Sequence, residues 1–332
     1  SDKIGFYKIM IFSLMTSGIA FFGLQFVTSF EGLLVAMFFI MVVADMFRPA
    51  MFVSLGAYAK PENRTRALTL VRLAINLGFA AGPALGGLLI MTVGYKGLFW
   101  VDGATCILAI LIFWIKVKEK KKSKYTDKEH PGEILTNSVF KDRPFWIFLG
   151  ATLITGILFF QLFTTIPLYH KEQFNLSELQ TGLLLTLNGV LIFFLEMPIV
   201  SYIERHKINK LKVITLGCLA MAISMYLLLV NQWAGILIIM MLFMTFGEMF
   251  VFPFSNSFAM SRAPKGHEGR YMAIFTMSYS TAHILSAEAG MDMIRLFSYQ
   301  NNWFFMGTLG IIGVLLFIWT MKLVKYEPPR NI

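Results

Sequence analysis

Long apolar segments, separated by short polar stretches, run from one end of this chain to the other. Each holds roughly 20 or more residues, the length at which an α-helix crosses the hydrocarbon core of a bilayer. None shows the alternation of apolar and polar positions that is typical of barrel strands. The pattern predicts ten membrane-spanning helices, at about residues 7–27, 31–58, 66–93, 97–117, 144–168, 178–203, 211–230, 233–260, 269–297 and 302–325.

The composition agrees with this pattern. Of the 332 residues, 57% are hydrophobic and only 14% are charged, and the mean hydropathy is +0.67. A soluble domain carries about a quarter charged residues. Lipid offers no hydrogen-bond partner to the backbone, so segments of this kind must be helical. We therefore expect an all-α membrane protein.

The net charge of +10 is explained by topology. When successive segments cross the membrane in alternating directions, the basic residues on one side of the membrane are only Lys96, Lys171 and, near its edge, Arg295. By the positive-inside bias, the other side is cytoplasmic. That side holds Lys3, Lys8, Lys60, Arg64, Arg66, the stretch from Lys116 to Arg143, Arg205, Lys207, Lys210, Lys212, Arg262, Lys265, Arg270, Lys322, Lys325 and Arg330. We expect a multi-pass protein of the plasma membrane with both ends of this chain in the cytoplasm and no nucleic-acid partner.

The densest basic run begins at Lys116 and continues to Lys122. It favours a solvated juxtamembrane linker. The alternative is contact with the anionic head groups of membrane lipids.

The chain repeats itself weakly at an offset of about 203 residues. Asp45-Met46-Phe47 recurs as Glu248-Met249-Phe250, and Asp2-Lys3 corresponds to Glu204-Arg205. Arg66 likewise corresponds to Arg270. Segments one to four thus match segments seven to ten. We predict an N-terminal repeat at 1–117, a cytoplasmic linker at 118–143 and a C-terminal six-helix repeat at 144–332.

The second repeat has two segments before its Glu204-Arg205, and the first has none before Asp2. The simplest interpretation is a twelve-helix protein with two parallel repeats, whose first two helices precede this chain. A native ten-helix protein is the alternative.

One segment contains Gly78-Phe-Ala-Ala-Gly82-Pro83-Ala-Leu-Gly86-Gly87. Glycines four residues apart lie on one helix face and allow a neighbouring helix to approach closely. Proline frees a backbone carbonyl and bends the helix. A generic small-residue packing face would account for the glycine spacing alone, but not for the added proline and the glycine pair.

These residues resemble the major facilitator superfamily over the whole chain. The glycine-rich segment is similar to its antiporter motif, Gly-x3-Gly-Pro-x2-Gly-Gly, which is common in drug/proton antiporters. Asp2-Lys3-Ile4-Gly5 resembles part of the family's loop signature Gly-x-Leu-x-Asp-Arg/Lys-x-Gly-Arg/Lys-Arg/Lys. The resemblance implies a cytoplasmic gate in which Asp2, Lys3 and Gly5 act with Arg66. Phe6-Tyr7 replaces the basic pair that usually follows the glycine.

A second resemblance points to the proton-coupled oligopeptide transporters of the same superfamily. Phe47-Arg48-Pro49-Ala50 and Ile75-Asn76-Leu77-Gly78 are similar to their Phe-Lys-Pro-Asn and Ile-Asn-x-Gly motifs. Glu248 with Pro253 is similar to their Glu-x4-Pro. The lysine and the final asparagine of the first motif are changed here.

Three ionisable residues lie deep in the predicted helices, where a charge is expensive. Asp45 and Arg48 are three apart and should share a helix face. Arg48 could keep the carboxylate ionised until a proton or substrate competes, or the two could form a permanent ion pair. Glu248 has no cation within a helical turn, so desolvation should favour its protonated form. We expect Asp45, Arg48 and Glu248 to couple transport to protons.

Polar residues in the predicted helices supply candidate contacts for a solute. The resemblance implies that the segments with Asp45 and Glu248 line a central cavity. We assign to this cavity Gln161, Thr165, Asn188 and Asn256, each of which could instead join helix to helix. A cluster of Glu288, Asp292 and Arg295 is expected nearer the outer side.

The sequence contains no Gly-rich phosphate loop, nucleophile elbow or metal-ligand cluster, so no cofactor, metal or enzymatic activity is predicted. Its two cysteines, Cys106 and Cys218, lie singly in apolar segments. We predict a monomeric secondary transporter that exports a small organic solute in exchange for protons by alternating access. Proton-coupled uptake of peptides or other nutrients is the alternative.

Overall fold

A computed structural model describes residues 5–58, 64–119, 139–230, 233–263 and 268–326. Over these residues the regular structure is helical, with one 3-10 turn at Val139–Lys141. The α-helices are α1 (Phe6–Leu24), α2 (Phe30–Asp45), α3 (Phe47–Tyr58), α4 (Arg64–Val93), α5 (Tyr95–Lys116), α6 (Arg143–Phe160), α7 (Thr165–Phe174), α8 (Glu178–Arg205), α9 (Lys210–Leu227), α10 (Ile236–Arg262), α11 (Glu268–Leu296) and α12 (Tyr299–Lys325).

These helices confirm the ten predicted segments. Two segments are each divided in two, giving α2 with α3 and α6 with α7. Among the described residues, seven spans are long and apolar enough to cross a bilayer: α1, α5, α6 together with α7, α8, α9, α10 and α12. The chain is therefore an integral membrane protein with an all-α fold.

A proline explains the division between α2 and α3. Pro49 has no backbone N–H to donate to the carbonyl four residues earlier, which belongs to Asp45. The helix stops at that residue. Ser13 of α1 donates its hydroxyl to the carbonyl oxygen of Val43 at 2.7 Å. A carbonyl at the break thereby gains the side-chain partner that lipid cannot supply.

The division between α6 and α7 has the same cause. Pro167 lies in the first turn of α7, and the residue four earlier is Phe163. Residues 161–164 form turns instead of α-helix. Proline is tolerated near a helix start, because the first N–H groups have no intrahelical acceptor there. Each break thus becomes the start of a new helix.

Side-chain caps fix several of the helix starts. Ser177 and Gln180 form a reciprocal capping box at the start of α8. Asn209 accepts hydrogen bonds from the backbone N–H groups of Leu211 and Lys212 at the start of α9. Such caps satisfy N–H groups that have no partner within the helix. They stabilise the starts of these two spans.

By contacts, the chain divides into two compact units, Ser1–Gly78 with Leu85–Lys128, and Phe79–Ala84 with Glu129–Ile332. In the first unit, α1 packs against α5, α2 and α3. Gly18 and Gly103 allow the approach of α1 and α5: a Cβ on Gly103 would lie 2.8 Å from the carbonyl oxygen of Gly18. The small core at the start of α1 contains Phe6 and Met10.

In the second unit, α9 packs against α10 and α12, and α6 packs against α11 and α12. Gly310 of α12 meets Ala222 of α9, where an added Cβ would lie 2.6 Å from the alanine Cβ. Trp303 and Phe148 are fully buried in its two core clusters. In each unit, therefore, a helix packs closely against the last helix of its unit through small residues. This is the arrangement expected of two parallel repeats.

The contact at Gly18 generates a test with a matched glycine on the same helix. A Cβ at Gly18 would lie 2.7 Å from Ile107, whereas one at Gly23 would meet nothing within 4 Å. We expect Gly18→Ala to destabilise the protein by about 1–3 kcal/mol through overpacking. Gly23→Ala should be neutral or slightly stabilising. Thermal unfolding in detergent measures both, and equal midpoints would refute the close α1–α5 contact.

Candidate functional site

A carboxylate, that of Glu248, lies in the middle of α10. Glu248 accepts a hydrogen bond through Oε2 from Asn188 Nδ2 of α8 at 3.0 Å. The same amide nitrogen donates to Thr245 Oγ1 at 3.0 Å. Thr245 donates its own hydrogen to the backbone carbonyl of Met241 at 2.6 Å. The carboxylate is thus held by a neutral donor, the amide of Asn188, which also donates to Thr245.

No ion pair joins Glu248 to a basic side chain among the residues that the structure describes. Its neighbours along α10, Gly247 and Met249, are buried. An ionised carboxylate at membrane depth is expensive unless it is compensated. Binding a proton removes that cost, so this site is chemically suited to take up and release one.

A strip of polar side chains continues along the same face of α10. Thr245, Glu248 and Ser255 are spaced so that they share this face. The hydroxyls of Ser255 and of Tyr279 on α11 are both buried, and neither has a hydrogen-bond partner among the described residues. The second unit therefore contains a polar face on α10, of which the sequence predicted only Glu248 and its neighbour Asn188 on α8.

A second polar cluster fills the break between α6 and α7. Gln161 Nε2 donates to Ser286 Oγ of α11 at 2.8 Å and to the Ser286 carbonyl oxygen at 2.9 Å. Thr165 donates its hydroxyl to Gln161 Oε1. Gly290 makes room, since a Cβ there would lie 2.7 Å from Gln161 Oε1. Both predicted cavity residues are fully buried, so a solute could reach them only after α7 and α11 separate.

The remaining candidate cavity residue, Asn256, is exposed on α10. It joins neither cluster. The structure therefore divides the four cavity residues predicted from the sequence: Asn188 lies beside Glu248, Gln161 and Thr165 lie at the helix break, and Asn256 stands apart.

Asp45 and Arg48 do not lie on one continuous helix as the sequence suggested. Asp45 is the last residue of α2 and Arg48 lies in α3, because Pro49 interrupts the helix between them. Both side chains are exposed, and no ion pair connects them in the described part of the chain. The expected shared face stays a prediction. Their role in proton coupling stays a prediction.

The predicted cytoplasmic gate lies mostly outside the described residues. Asp2 and Lys3 are not described, and Arg66 is described only as part of α4. Gly5 precedes α1 with φ of 89°, a backbone conformation that favours glycine. The conformation explains why a glycine occurs at this place, and the gate itself remains a prediction.

The antiporter-like motif lies in α4, with Pro83 inside the helix. A Cβ on Gly78 or Gly82 would meet no described atom within 4 Å, and one on Gly86 would only touch Leu98. Gly87 is buried. The described residues therefore provide no close neighbour for the first two glycines, and the close approach expected there stays a prediction.

The charged cluster predicted on α11 contains a local ion pair. Arg295 donates to Asp292 at 2.8 Å in an exposed ion pair. Glu288 is exposed one turn earlier. This arrangement is an ordinary surface charge cluster.

Sequence reasoning missed a buried ion pair in the second unit. Asp142 receives hydrogen bonds from Arg262 Nη2 at 2.6 Å and from the Tyr271 hydroxyl at 3.0 Å. It also caps α6 by accepting from the Phe145 N–H. Both charged side chains are 4% exposed. The Asp-Arg-Pro sequence at 142–144 signalled a helix start, but nothing in it signalled an arginine 120 residues away.

Comparisons with known proteins agree with this architecture. A family model described as Major Facilitator Superfamily matches residues 1–287. The chain is 22% identical to a Na(+), Li(+), K(+)/H(+) antiporter of Planococcus maritimus, covering 100% of this chain and 85% of that protein. It is 27% identical to the uncharacterized MFS-type transporter YttB of Bacillus subtilis (strain 168), covering 81% of this chain and 67% of that protein.

Solved structures share the fold at low sequence identity. A POT family transporter in complex with 5-aminolevulinic acid superposes with a TM-score of 0.76 at 16% identity, covering 96% of this chain and 82% of that one. A bacterial homolog of the human lysosomal transporter Spinster superposes with a TM-score of 0.73 at 12% identity, over 97% and 84% of the two chains. At this identity the likeness concerns the fold alone.

The buried ion pair generates a stability test. Arg262→Ala would leave the Asp142 carboxylate buried without its charge partner, which costs about 3–5 kcal/mol. Asp292→Asn breaks the exposed pair with Arg295 and should cost no more than about 1 kcal/mol. Denaturant titration in detergent compares the two variants. A small, equal effect of both would show that the Asp142–Arg262 pair is not buried in the folded protein.

Proposed function

This chain belongs to the major facilitator superfamily of membrane transporters, and from that premise we propose that it exchanges protons for a small organic solute by alternating access. The observation that carries the proposal is the carboxylate of Glu248, held by Asn188 and without an ion-pair partner among the described residues. Such a group can bind a proton in one state of the cycle and release it in the other. The antiporter-like motif Gly78, Gly82, Pro83, Gly86 and Gly87 supports exchange as opposed to symport.

The coupling acts through differential proton affinity. A ligand shifts an equilibrium between two states only by as much as its binding free energies in those states differ. When Glu248 is ionised, the state that gives it water or a cationic solute is favoured. When it is protonated, the state that encloses it among apolar residues is favoured. Asp45 and Arg48, in the repeat-related position, would supply a second titratable centre.

The direction we propose is export from the cytoplasm across the plasma membrane. The distribution of lysines and arginines supports a cytoplasmic location for both ends of the chain. We expect a monomer to be sufficient for transport.

An alkali cation is a second candidate for the exchanged solute. The carboxylate of Glu248, the amide of Asn188 and the hydroxyl of Thr245 place oxygen-bearing groups of three kinds together. Hard cations prefer carboxylate, carbonyl and water oxygens. Asn188 would have to turn its amide oxygen towards the ion. The similarity to a Na(+), Li(+), K(+)/H(+) antiporter supports this candidate.

The experiment that tests the proposal uses the purified protein in proteoliposomes with a pH-sensitive dye inside. Lipophilic cations, sodium, lithium, potassium and dipeptides are added in turn under an imposed pH gradient. Proton movement opposite to lipophilic cations supports organic-solute exchange, and the same response to alkali ions supports the second candidate. Proton movement together with dipeptides would replace antiport by peptide uptake. No response to any of these would refute the coupled transport of the tested solute classes.

Replacing the carboxylate tests its role directly. Glu248→Gln keeps a group that can bond to Asn188 but cannot titrate. We expect solute-driven proton movement to fall to the level of empty liposomes, while solute exchange without a pH gradient persists. Glu288→Gln, which neutralises an exposed carboxylate on α11, is the matched control and should behave as wild type. Unchanged uphill transport by Glu248→Gln would exclude Glu248 as the proton carrier.

Removing the neutral donor should change the pH dependence of transport. Asn188 stabilises the ionised carboxylate of Glu248, and a hydrogen bond to a charged group is worth about 1.5–3 kcal/mol. Asn188→Leu should therefore let the carboxylate keep its proton to higher pH, moving the midpoint of the pH–rate profile up by about one to two units. Thr245→Val leaves the Asn188–Glu248 bond intact and should move the midpoint much less. A shift to lower pH would contradict the assigned donor.

A further inference from the structure

A pocket opens where α8 ends and α9 begins. Its volume is about 540 Å³, and its walls come from α8, α9, α10 and α12. Phe254, Phe258 and Val324 make part of it apolar, while Lys207 and Lys210 line it from the turn between α8 and α9. The pocket therefore combines apolar walls with basic groups at the ends of membrane-spanning helices.

The backbone of Lys207 is in an unusual conformation. Its φ is 51°, in the left-handed region that non-glycine residues rarely occupy. The Lys207 N–H bonds to the Glu204 carbonyl, and the Ile208 N–H to the Ile203 carbonyl, each at 3.1 Å. These two bonds form a Schellman motif, whose left-handed position is usually a glycine. Lys207 thus stands where a glycine would fit with less strain.

The first repeat has a glycine at the position equivalent to Lys207. With Asp2-Lys3 aligned on Glu204-Arg205, Gly5 corresponds to Lys207. Gly5 also has a positive φ, 89°. Both repeats therefore have a positive φ at this place, but only the second carries a long basic side chain there. Backbone strain of this kind is commonly found at functional sites, where the side chain binds or positions another group.

The surroundings favour an anionic ligand. Lys210 Nζ donates to Ser257 Oγ at 2.6 Å, which fixes its position beside the pocket. The N-terminus of α9 adds a partial positive charge. Glu204 also lines the pocket and offsets one of the two lysines. The sum is one net positive charge and a helix dipole next to aromatic walls.

We propose that this pocket binds the phosphate head group of an anionic membrane phospholipid, with Lys207 as the residue that contacts the phosphate. Because α8 and α9 are both long and apolar enough to cross a bilayer, we expect the turn between them at head-group depth, where basic side chains attract anionic lipids. The apolar walls formed by Phe254, Phe258 and Val324 accept the glycerol and the first part of an acyl chain. The assignment holds whatever solute the protein carries.

Native mass spectrometry of the purified protein tests the proposal. Phosphatidylglycerol and phosphatidylcholine with identical acyl chains are titrated against wild type, Lys207→Gly, Lys207→Arg and Lys212→Ala. Lys212 is the matched control. It is an exposed lysine in the first turn of α9, near Lys207 in the chain, but it does not line the pocket. A thermal scan without added lipid, and a competition with inorganic phosphate, accompany the titration.

We expect Lys207→Gly to weaken binding of phosphatidylglycerol about fivefold, the loss of one lysine–lipid attraction. Its unfolding midpoint should equal or exceed that of wild type, since the left-handed strain is relieved. Lys207→Arg and Lys212→Ala should retain the lipid, and inorganic phosphate should not displace it.

Three results would overturn the proposal. Equal losses in Lys207→Gly and Lys212→Ala would mean that diffuse surface charge attracts the lipid. Equal retention of phosphatidylcholine would mean that the anionic head group is not recognised. Displacement by inorganic phosphate would mean that the pocket is a site for the free anion.

Discussion

The need to satisfy every backbone N–H and carbonyl within the protein governs this structure, because lipid supplies no partner. It confines the regular structure of the described residues to helices. Pro49 and Pro167 divide two membrane segments. At the first break, the Ser13 hydroxyl bonds to a carbonyl of α2. At the second, Gln161 and Ser286 bond to one another and to nearby backbone. The polar residues inside these helices are therefore partly structural, and a functional role has to be argued separately for each.

Three carboxylates in the described part of the second unit differ in how their charge is compensated. Asp142 and Arg262 compensate one another in a buried bidentate pair that joins α6 to α10. Asp292 and Arg295 pair at the surface, where water screens them. Glu248 has only a neutral amide beside it among the described residues. Of the three, only Glu248 can change its protonation without breaking an ion pair. This difference in compensation, and not depth alone, makes it the candidate for coupling.

The two repeats keep the same helix packing but differ in their details. Small residues bring α1 to α5 and α9 to α12, and both repeats use a positive φ before the first of these helices. Gly5 meets that requirement without strain, whereas Lys207 meets it with a long basic side chain beside a pocket. Such differences between equivalent positions indicate where one repeat has a function that the other repeat lacks.

The sequence determined the helical segments, the membrane environment and the repeat, because these depend on local hydropathy and on residues close together in the chain. It also identified Glu248 as a carboxylate without a nearby cation. Only the tertiary structure decided which groups meet. The partner of Glu248 is 60 residues away in Asn188, and that of Asp142 is 120 residues away in Arg262. Asp45 and Arg48, three residues apart, lie in α2 and α3, and no ion pair joins them among the described residues. Helix periodicity describes faces within one helix, whereas contacts between helices depend on packing that no local pattern encodes.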